Sequence, residues 1–569
     1  MTTIGIDFGT TNSVAATYSN GDVEVLELDD PPAEWAPYGF GRVIPSVFAT
    51  DDHGRMTFGW EAKVNSEFSG NRFDAIKRLF ASQEDAAFGD SGTVMAVEEA
   101  ATLLFAEIQR RAQTLAGVSA RQAVITVPAN SKGRARHRTK ICAGMGGFEV
   151  LCLINEPTAA AMSYARSHPE ARRYLVFDWG GGTLDVTILE AIEGVFIEQA
   201  SSGIGRSGGL DFDARLSKAV IDATGSSDKW TTQQKRNFRL EIELAKIRLS
   251  SHDSATIQMP DGSAHQMTRR RFEEIVNPII EESALPIQRC LEELGIGKGS
   301  IDALVMVGGT SNIPAVRTFV QNLVGADADP NVDPMTAIAE GAAIAAGILA
   351  GENKDNDFFV STEHALGTQV VDSQSGALKF SEIIRKSHKL PAKATETYFP
   401  VSEDQTQVMI DVVEGDPSSG DFMVLKEWTV ELLDSEGTRA FDLTYEYDIS
   451  GILKVIATDQ ETNEILLNDD VAYGIAEDKK SMASMAKRAR SAVSSGTLEF
   501  ENAEALGTLS SESLELIQKS EQKVIPYLDD VGAAEVQEKV ELLRSCDPEN
   551  ESTCREDLQE SLQPYNFLL

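Results

Sequence analysis

Two short stretches with the same grammar constrain this chain more than anything else in it. Tyr174 to Leu189 reads as a strand ending in Asp178, then Gly180, Gly181, Gly182 and Thr183, then a second strand carrying Asp185. The N-terminus repeats the pattern: Ile4 to Phe8 with Asp7, then Gly9, Thr10, Thr11 and Asn12, then Ser13, Val14 and Ala15. β-forming runs joined by glycine-rich turns predict hairpins. Adjacent glycines let backbone N–H groups point into one concavity suited to phosphate. A carboxylate at the strand end repels phosphate, which implies a divalent cation between them. Two such hairpins far apart in one chain predict two halves closing on one nucleotide–metal complex. Further clusters suit the same cleft: Gly308 and Gly309 after Ala303 to Val307, and Gly208 and Gly209 before Asp211 and Asp213.

The surrounding pattern supports an α/β frame up to about residue 350. Strand-like runs at 123–127, 149–154, 174–177 and 303–307 alternate with small-residue helical runs at 157–165 and 336–348. Residues 351–366 read as a linker, polar and acidic before the apolar Phe358, Phe359 and Val360. Such a triplet predicts docking against a neighbouring domain. Residues 367–475 carry short alternating strands at 407–414, 428–433, 443–447 and 452–457. Turns are expected at 415–417, 435–437 and 448–451, the pattern of an antiparallel sandwich. From about 476 to 569 the pattern is charged helices. Leu514 and Ile517 begin an apolar face, Pro526 and Gly532 interrupt it, and Val536, Val540 and Leu543 resume it.

Composition excludes several classes. At 569 residues the chain has room for roughly four domain-sized units. Its net charge of −38 argues against nucleic acid and anionic membranes as partners. No apolar run reaches the roughly 18 residues of a membrane span. The N-terminus lacks the layout of a signal peptide, and five cysteines without metal-type spacing fit a reducing cytoplasm with free thiols. The literal GxGxxG at Gly203 to Gly208 lacks a βαβ context, and Gly297 to Ser300 lacks the Lys-Ser/Thr pair of a P-loop. Zinc and serine-nucleophile motifs are absent from the sequence.

Longer motifs narrow the class. The runs 6–13, 73–79, 124–129, 154–161 and 177–185, with 306–309, 390–393 and 447–453, make the chain resemble the seventy-kilodalton heat-shock chaperone family of the bacterial DnaK type. The resemblance implies a two-lobed, actin-like ATPase domain over 1–350, a linker over 351–366, a β-sandwich that clamps extended apolar peptide over 367–475, and a helical lid over 476–569. It implies ATP and ADP as ligands, with Mg2+ and K+ organised through water by Asp7 and Asp178. Phosphate contacts fall on Gly9, Thr10, Thr11, Asn12 and Gly180 to Thr183. Lys77 resembles the lysine that steadies the γ-phosphate and the attacking water, Glu156 the acid that senses nucleotide, and Glu243, Lys246 and Ser250 the adenosine-contacting helix. Read without the resemblance, Glu243 and Lys246 are a solvated charge pair. Val371, Phe399, Val408 and Ile410 are expected in or near the peptide pocket, with sandwich core as the rival reading. Pro128 and Arg136 match an interdomain relay, and Phe358 and Phe359 the apolar linker.

Departures from the family pattern also bear on function. Cys152 stands where the family usually has an arginine used by the J-domain co-chaperone, and Val360 where its linker has an aspartate. Both put a standard J-domain partner in doubt; a nucleotide exchange factor stays open. Trp179 replaces a leucine inside the central hairpin, without an evident reason in the sequence. Asn312 and Met335 replace polar or charged residues near the adenine. Two functions follow: an ATP-hydrolysing, cytoplasmic chaperone for unfolded segments, or a slow nucleotide-gated module holding one dedicated partner.

Overall fold

The computed structural model describes residues 2–565 except 52, 66–70, 81–85, 89–93, 132, 193–194, 206, 226–229, 353–361, 363, 373–375, 387, 403–404, 417–420, 434–439, 449–451, 472–478, 499–512, 514–515, 518, 526–527, 529 and 546–550. Phe358, Phe359 and Val360 of the expected linker therefore lie outside the described residues.

Two α/β units carry the first 350 residues. In the first, the strands run in the order Glu149–Asn155, Gln122–Val127, Thr3–Phe8, Asn12–Ser19, Asp22–Val25. The first three are mutually parallel and Asn12–Ser19 turns back antiparallel on Thr3–Phe8. Their near-continuous apolar sequences suit strands covered on both faces, and Ile4, Ile6, Val124, Ile125 and Leu153 are all fully buried. The second unit orders Val195–Ile204, Leu184–Ile192, Arg173–Trp179 and Ala303–Val307, the last pair parallel.

Two small-residue helices join these sheets. Ala337–Leu349 packs on the first sheet, and Glu156–Ala165 packs on that helix and on the second sheet. Their alanines and glycines allow backbone to approach backbone. A Cβ added at Gly341 would run into the backbone of Ala159, and one at Gly5 into Ala342 and Ala343.

Residues 365–470 form two four-stranded sheets whose described pairings are all antiparallel, ordered Leu378–Ile384, Ala365–Val371, Gln407–Asp416, Asp421–Glu431 and Ala392–Tyr398, Phe441–Tyr447, Leu453–Asp459, Ile465–Asp470. Phe441–Tyr447 and Leu453–Asp459 alternate buried and half-buried positions without a break, as half-covered strands should. The two sheets share one core, and the Tyr445 hydroxyl donates a 2.8 Å hydrogen bond to the Gly367 carbonyl of the other sheet. Three local expectations are corrected. The first strand starts at Ala365, inside the stretch read as linker. Gly415 and Asp416, read as a turn, continue the strand because they stay paired with Phe422 and Asp421. Gly532 does not interrupt a helix; Asp530–Ser545 runs through it.

The helix Lys479–Ser495 lies on the first α/β unit, against Val97–Thr114 and Gly133–Gly146. Its Ala486, Ala489, Ala492 and Val493 join the core that includes Phe105 and Ala143. Arg488 holds Glu99 through both carboxylate oxygens, at 2.6 and 2.7 Å. Beyond it, Met56 donates its amide to Gly496 and Leu498 to Gly54, both at 2.8 Å, pinning the end of the helix to a surface turn. The helices Asp530–Ser545 and Glu551–Leu562 build a small core with Ile517, Val524, Ile525 and Leu528, in which Val536, Val540 and Leu543 cluster with Leu558 and Leu562 and against which Ala214 packs. The sandwich also touches the first unit: the Gly133 amide donates to Glu414 at 3.1 Å, and Lys140 meets Asp448 at 3.2 Å. Among the described residues no helix is long and apolar enough to cross a membrane.

Candidate functional site

The hairpin centred on Asp178 forms as its residues dictate. Arg173–Trp179 pairs antiparallel with Leu184–Ile192, and Asp178 stands directly opposite Asp185. The Gly180 amide closes the turn on the Thr183 carbonyl at 3.2 Å. In the N-terminal twin, Asp7 stands opposite Val14 and Phe8 opposite Ser13. The two tips meet. A Cβ on Gly181 would strike the Thr11 hydroxyl, and one on Gly208 would strike the backbone of Gly181 and Gly182. Gly209 and Leu210 donate their amides to Gly180 and Gly181, both at 3.0 Å. Gly308 takes φ +79, where a side chain would also meet the Trp179 carbonyl, so glycine is required there twice over.

Trp179 now has a physical role. It is fully buried, stands edge-on to Phe177 and Phe212, and donates its indole N–H to the Ser207 carbonyl at 3.1 Å. It thereby fixes the residue preceding Gly208 and Gly209, which no local pattern in the sequence announces.

These loops line a cavity of about 880 Å3, together with Asp7, Lys77, Glu156, Asp178, Gly308 and Gly309. Gly9, Thr10, Thr11, Asn12, Gly180, Gly181, Gly182 and Thr183 all border it, as do Pro128 and Met335. Lys77 sits on the short 3-10 helix Ile76–Phe80, entered through Ala75 at φ +51. Its ammonium meets Glu156, the first residue of Glu156–Ala165, at 2.7 Å, with both side chains nearly buried. Burial works against the Lys77 charge, but Glu156, Asp7 and Asp178 around it hold its pKa above the ordinary lysine value.

The carboxylates around Lys77 are crowded. Burial, then the charge of Glu156, pushes Asp7 up to about 7, against the opposing effects of Lys77 and a 3.0 Å hydrogen bond from Thr126. Asp185 is pushed up to about 7 by burial and Glu156, although Asn130 donates to it at 2.6 Å. Burial, Glu156, Asp185 and Asp7 raise Asp178 well above the carboxylate range. Three buried oxygen-bearing acids beside a single ammonium are a donor set for a hard cation. Among the described residues no three His, Cys, Asp or Glu are grouped to hold a metal directly, so a cation here must take other ligands from water or phosphate, as Mg2+ commonly does. Asp185, Thr126 and Asn130 belong to this arrangement; Thr126 and Asn130 were not singled out from sequence, and Asp185 was named on the second strand without a role, although the two-strand register places it opposite Asp178.

Glu243, Lys246 and Ser250 share the helix Thr232–Ser251, but Glu243 and Lys246 are not a solvated pair with each other. Glu243 reaches across to Lys63 of the first unit at 2.7 Å, and Lys246 binds Asp213 at 2.7 Å and the Gly209 carbonyl at 2.9 Å. Burial opposes the Glu243 charge, yet Lys63 and Lys246 lower its pKa; Asp213 is pushed up to about 6 by burial despite Lys246. Ser250 turns its hydroxyl to the Lys246 carbonyl. Arg136 is buried and donates to Asn155 at 2.9 Å. The four residues expected at a peptide pocket divide: Val371 and Phe399 are 44% and 61% exposed, whereas Val408 and Ile410 are buried in the sandwich core.

The site and the fold together define an α/β phosphate-binding protein with an appended sandwich, and comparison with known proteins places it. The chain belongs to the Hsp70 family, whose model (Hsp70 protein) matches residues 80–566. Similar curated proteins carry the name Chaperone protein DnaK. That of Methanothermobacter thermautotrophicus is 32% identical over 81% of this chain and 78% of its own length. That of Prochlorococcus marinus is 30% identical over 98% and 92%, and that of Picrophilus torridus 32% identical over 81% and 76%. At the level of the family, the function is that of a chaperone.

Proposed function

We propose that this protein is an ATP-driven molecular chaperone, cytoplasmic, that binds and releases extended apolar segments of unfolded proteins. The observation that carries the reading is the meeting of both Asp-Gly-Thr hairpins, Lys77 and Glu156 around one cavity of about 880 Å3. In this reading Gly9 to Asn12 and Gly180 to Thr183 present amides and hydroxyls to the phosphates of ATP. Asp7 and Asp178 would hold Mg2+ through water, with K+ beside it, and that cation would neutralise phosphate charge. Lys77, oriented by Glu156, steadies the γ-phosphate and the attacking water; positioning and charge carry most of phosphoryl transfer. Asp185, opposite Asp178 in the hairpin, would take a proton from that water. Glu243, Lys246 and Ser250 would border the adenosine.

The sandwich would take the peptide as an extended strand, with Val371 and Phe399 supplying exposed apolar contact and Val408 and Ile410 supporting them from within. The helices from Lys479 onward would act as its lid. Pro128, Arg136 and the Phe358–Phe359 stretch would couple the sites, which makes nucleotide and peptide reciprocal ligands of one equilibrium. Cys152 is fully buried on the strand Glu149–Asn155 and offers no charge to a J-domain, so a standard J-domain co-chaperone is not part of this reading; a nucleotide exchange factor is. The test is steady-state ATP hydrolysis by wild type and Lys77→Ala, with and without an apolar peptide. Slow turnover, accelerated by peptide and abolished in the variant, is expected; turnover indifferent to peptide would remove the general-chaperone reading.

A further inference from the structure

The glutamate that meets Lys77 is flanked by two side chains held from the other α/β unit. Asn155 ends the strand Glu149–Asn155 and is the N-cap residue of the helix Glu156–Ala165. An asparagine there ordinarily turns its side chain back onto an amide of the first helical turn. Asn155 makes no such bond. Its side chain is stretched between two charged groups: Oδ1 accepts from Arg136 at 2.9 Å, and Nδ2 donates to Glu198 at 2.8 Å. A cation on one side and a carboxylate on the other allow the amide one orientation. Two positions after Glu156, the Thr158 hydroxyl donates to the same Glu198 oxygen, Oε1, at 2.9 Å.

Glu198 belongs to Val195–Ile204, the outer strand of the second sheet, which packs on the helix Glu156–Ala165. Glu198 is half-buried, and Asn155, Thr158 and Arg136 are buried. Burial raises the pKa of Glu198, and its two donors, Arg136 and Lys386 oppose the rise. Through Oε1 this carboxylate fixes the residues on both sides of Glu156, which is itself buried and meets Lys77 at 2.7 Å. Glu198 does not line the cavity of about 880 Å3, so it reaches the phosphates only through that pair.

We propose that Glu198 is a positioning residue for phosphoryl transfer: its Oε1 locks Asn155 and Thr158 and so sets where Glu156 holds the Lys77 ammonium. The inference rests on the reading of Lys77 and Glu156 as the γ-phosphate pair. A small displacement of such a pair costs rate before it costs binding, because positioning is its contribution.

The test is steady-state ATP hydrolysis and ADP affinity of the full-length protein carrying Glu198→Ala, Glu198→Gln or Thr158→Val. Glu198→Ala should lower kcat about tenfold, with KM for ATP and the affinity for ADP within about twofold of wild type. ADP lacks the γ-phosphate and reports an intact cleft. Glu198→Gln keeps an oxygen for both donors and should recover most of the rate; Thr158→Val removes one bond and should fall between. A role confined to stability would lower the unfolding temperature and leave kcat of the folded protein unchanged. The proposal is overturned if Glu198→Ala turns over as wild type does, if it loses ADP affinity as much as rate, or if Glu198→Gln is as slow as the alanine variant. Should Glu198→Ala not fold, Thr158→Val decides, and a wild-type kcat there overturns the proposal. A wild type without turnover, or turnover indifferent to Lys77→Ala, would remove the γ-phosphate reading itself and this inference with it.

Discussion

Asp178 and Asp185 face each other across one hairpin, and among the described residues neither forms an ion pair. The folded protein holds the pKa of Asp185 at about 7, far above the unfolded carboxylate. A folded pKa raised above the unfolded one means that the native state binds more protons than the unfolded chain between about pH 4 and 7. Stability is therefore gained below that window and lost as pH rises through it. Thermal unfolding of the nucleotide-free protein should fall between pH 5 and pH 8, and Asp185→Asn should flatten the fall and stabilise the protein at pH 8 by on the order of 1–3 kcal/mol. A variant as steep as wild type would show that Asp185 does not carry the repulsion. The residue scale is also where sequence reading ran short. Asp7, Lys77, Glu156 and Asp178 stand in local motifs and could be read directly. Glu243 could not be paired correctly, because three-residue spacing in a helix suggests Lys246 as its partner, whereas the fold offers Lys63, 180 positions away. Trp179 was opaque for the same reason: its partners Phe212 and Ser207 lie across a strand and a loop.

Among elements, strands and helices with strong periodicity were legible, and their ends were not. Pairing decided that Gly415 and Asp416 continue a strand, against their turn-like chemistry. The helix Lys479–Ser495 falls in a stretch whose sequence pattern is charged helices, and one face of it is alanine and valine buried on the first α/β unit. Its charged anchor is Arg488 on Glu99, a two-point charge-assisted bond to a nearly buried carboxylate. Arg488→Ala should cost about 1–2 kcal/mol, since the arginine itself is partly exposed to solvent. The expected sign is faster limited proteolysis near Lys479 and greater hydrogen exchange along the helix, with the exchange of the sandwich strands unchanged. Equal exchange in the two proteins would mean that the alanine face alone holds the helix.

For the whole molecule, polar contacts join the sandwich to the first unit, and among them Glu414 on the Gly133 amide is buried. Glu414→Ala removes the acceptor and leaves that amide without it. Small-angle scattering should then report a larger radius of gyration in the nucleotide-free variant, while the unfolding signal of each unit keeps its position. An unchanged radius would assign the docking to other contacts. This arrangement was visible in sequence only as an order of domains; the surfaces that meet are set by residues scattered over 300 positions, and no spacing rule links them.

The helices Ala337–Leu349 and Glu156–Ala165 meet backbone to backbone at Gly341 and Ala159, and the Ser163 hydroxyl, donating to Glu340 at 2.9 Å, ties them a turn further on. A seam this close leaves no room for growth: even a methyl group at Gly341 would meet the Ala159 carbonyl, so a bulky substitution there would wedge the two α/β units apart.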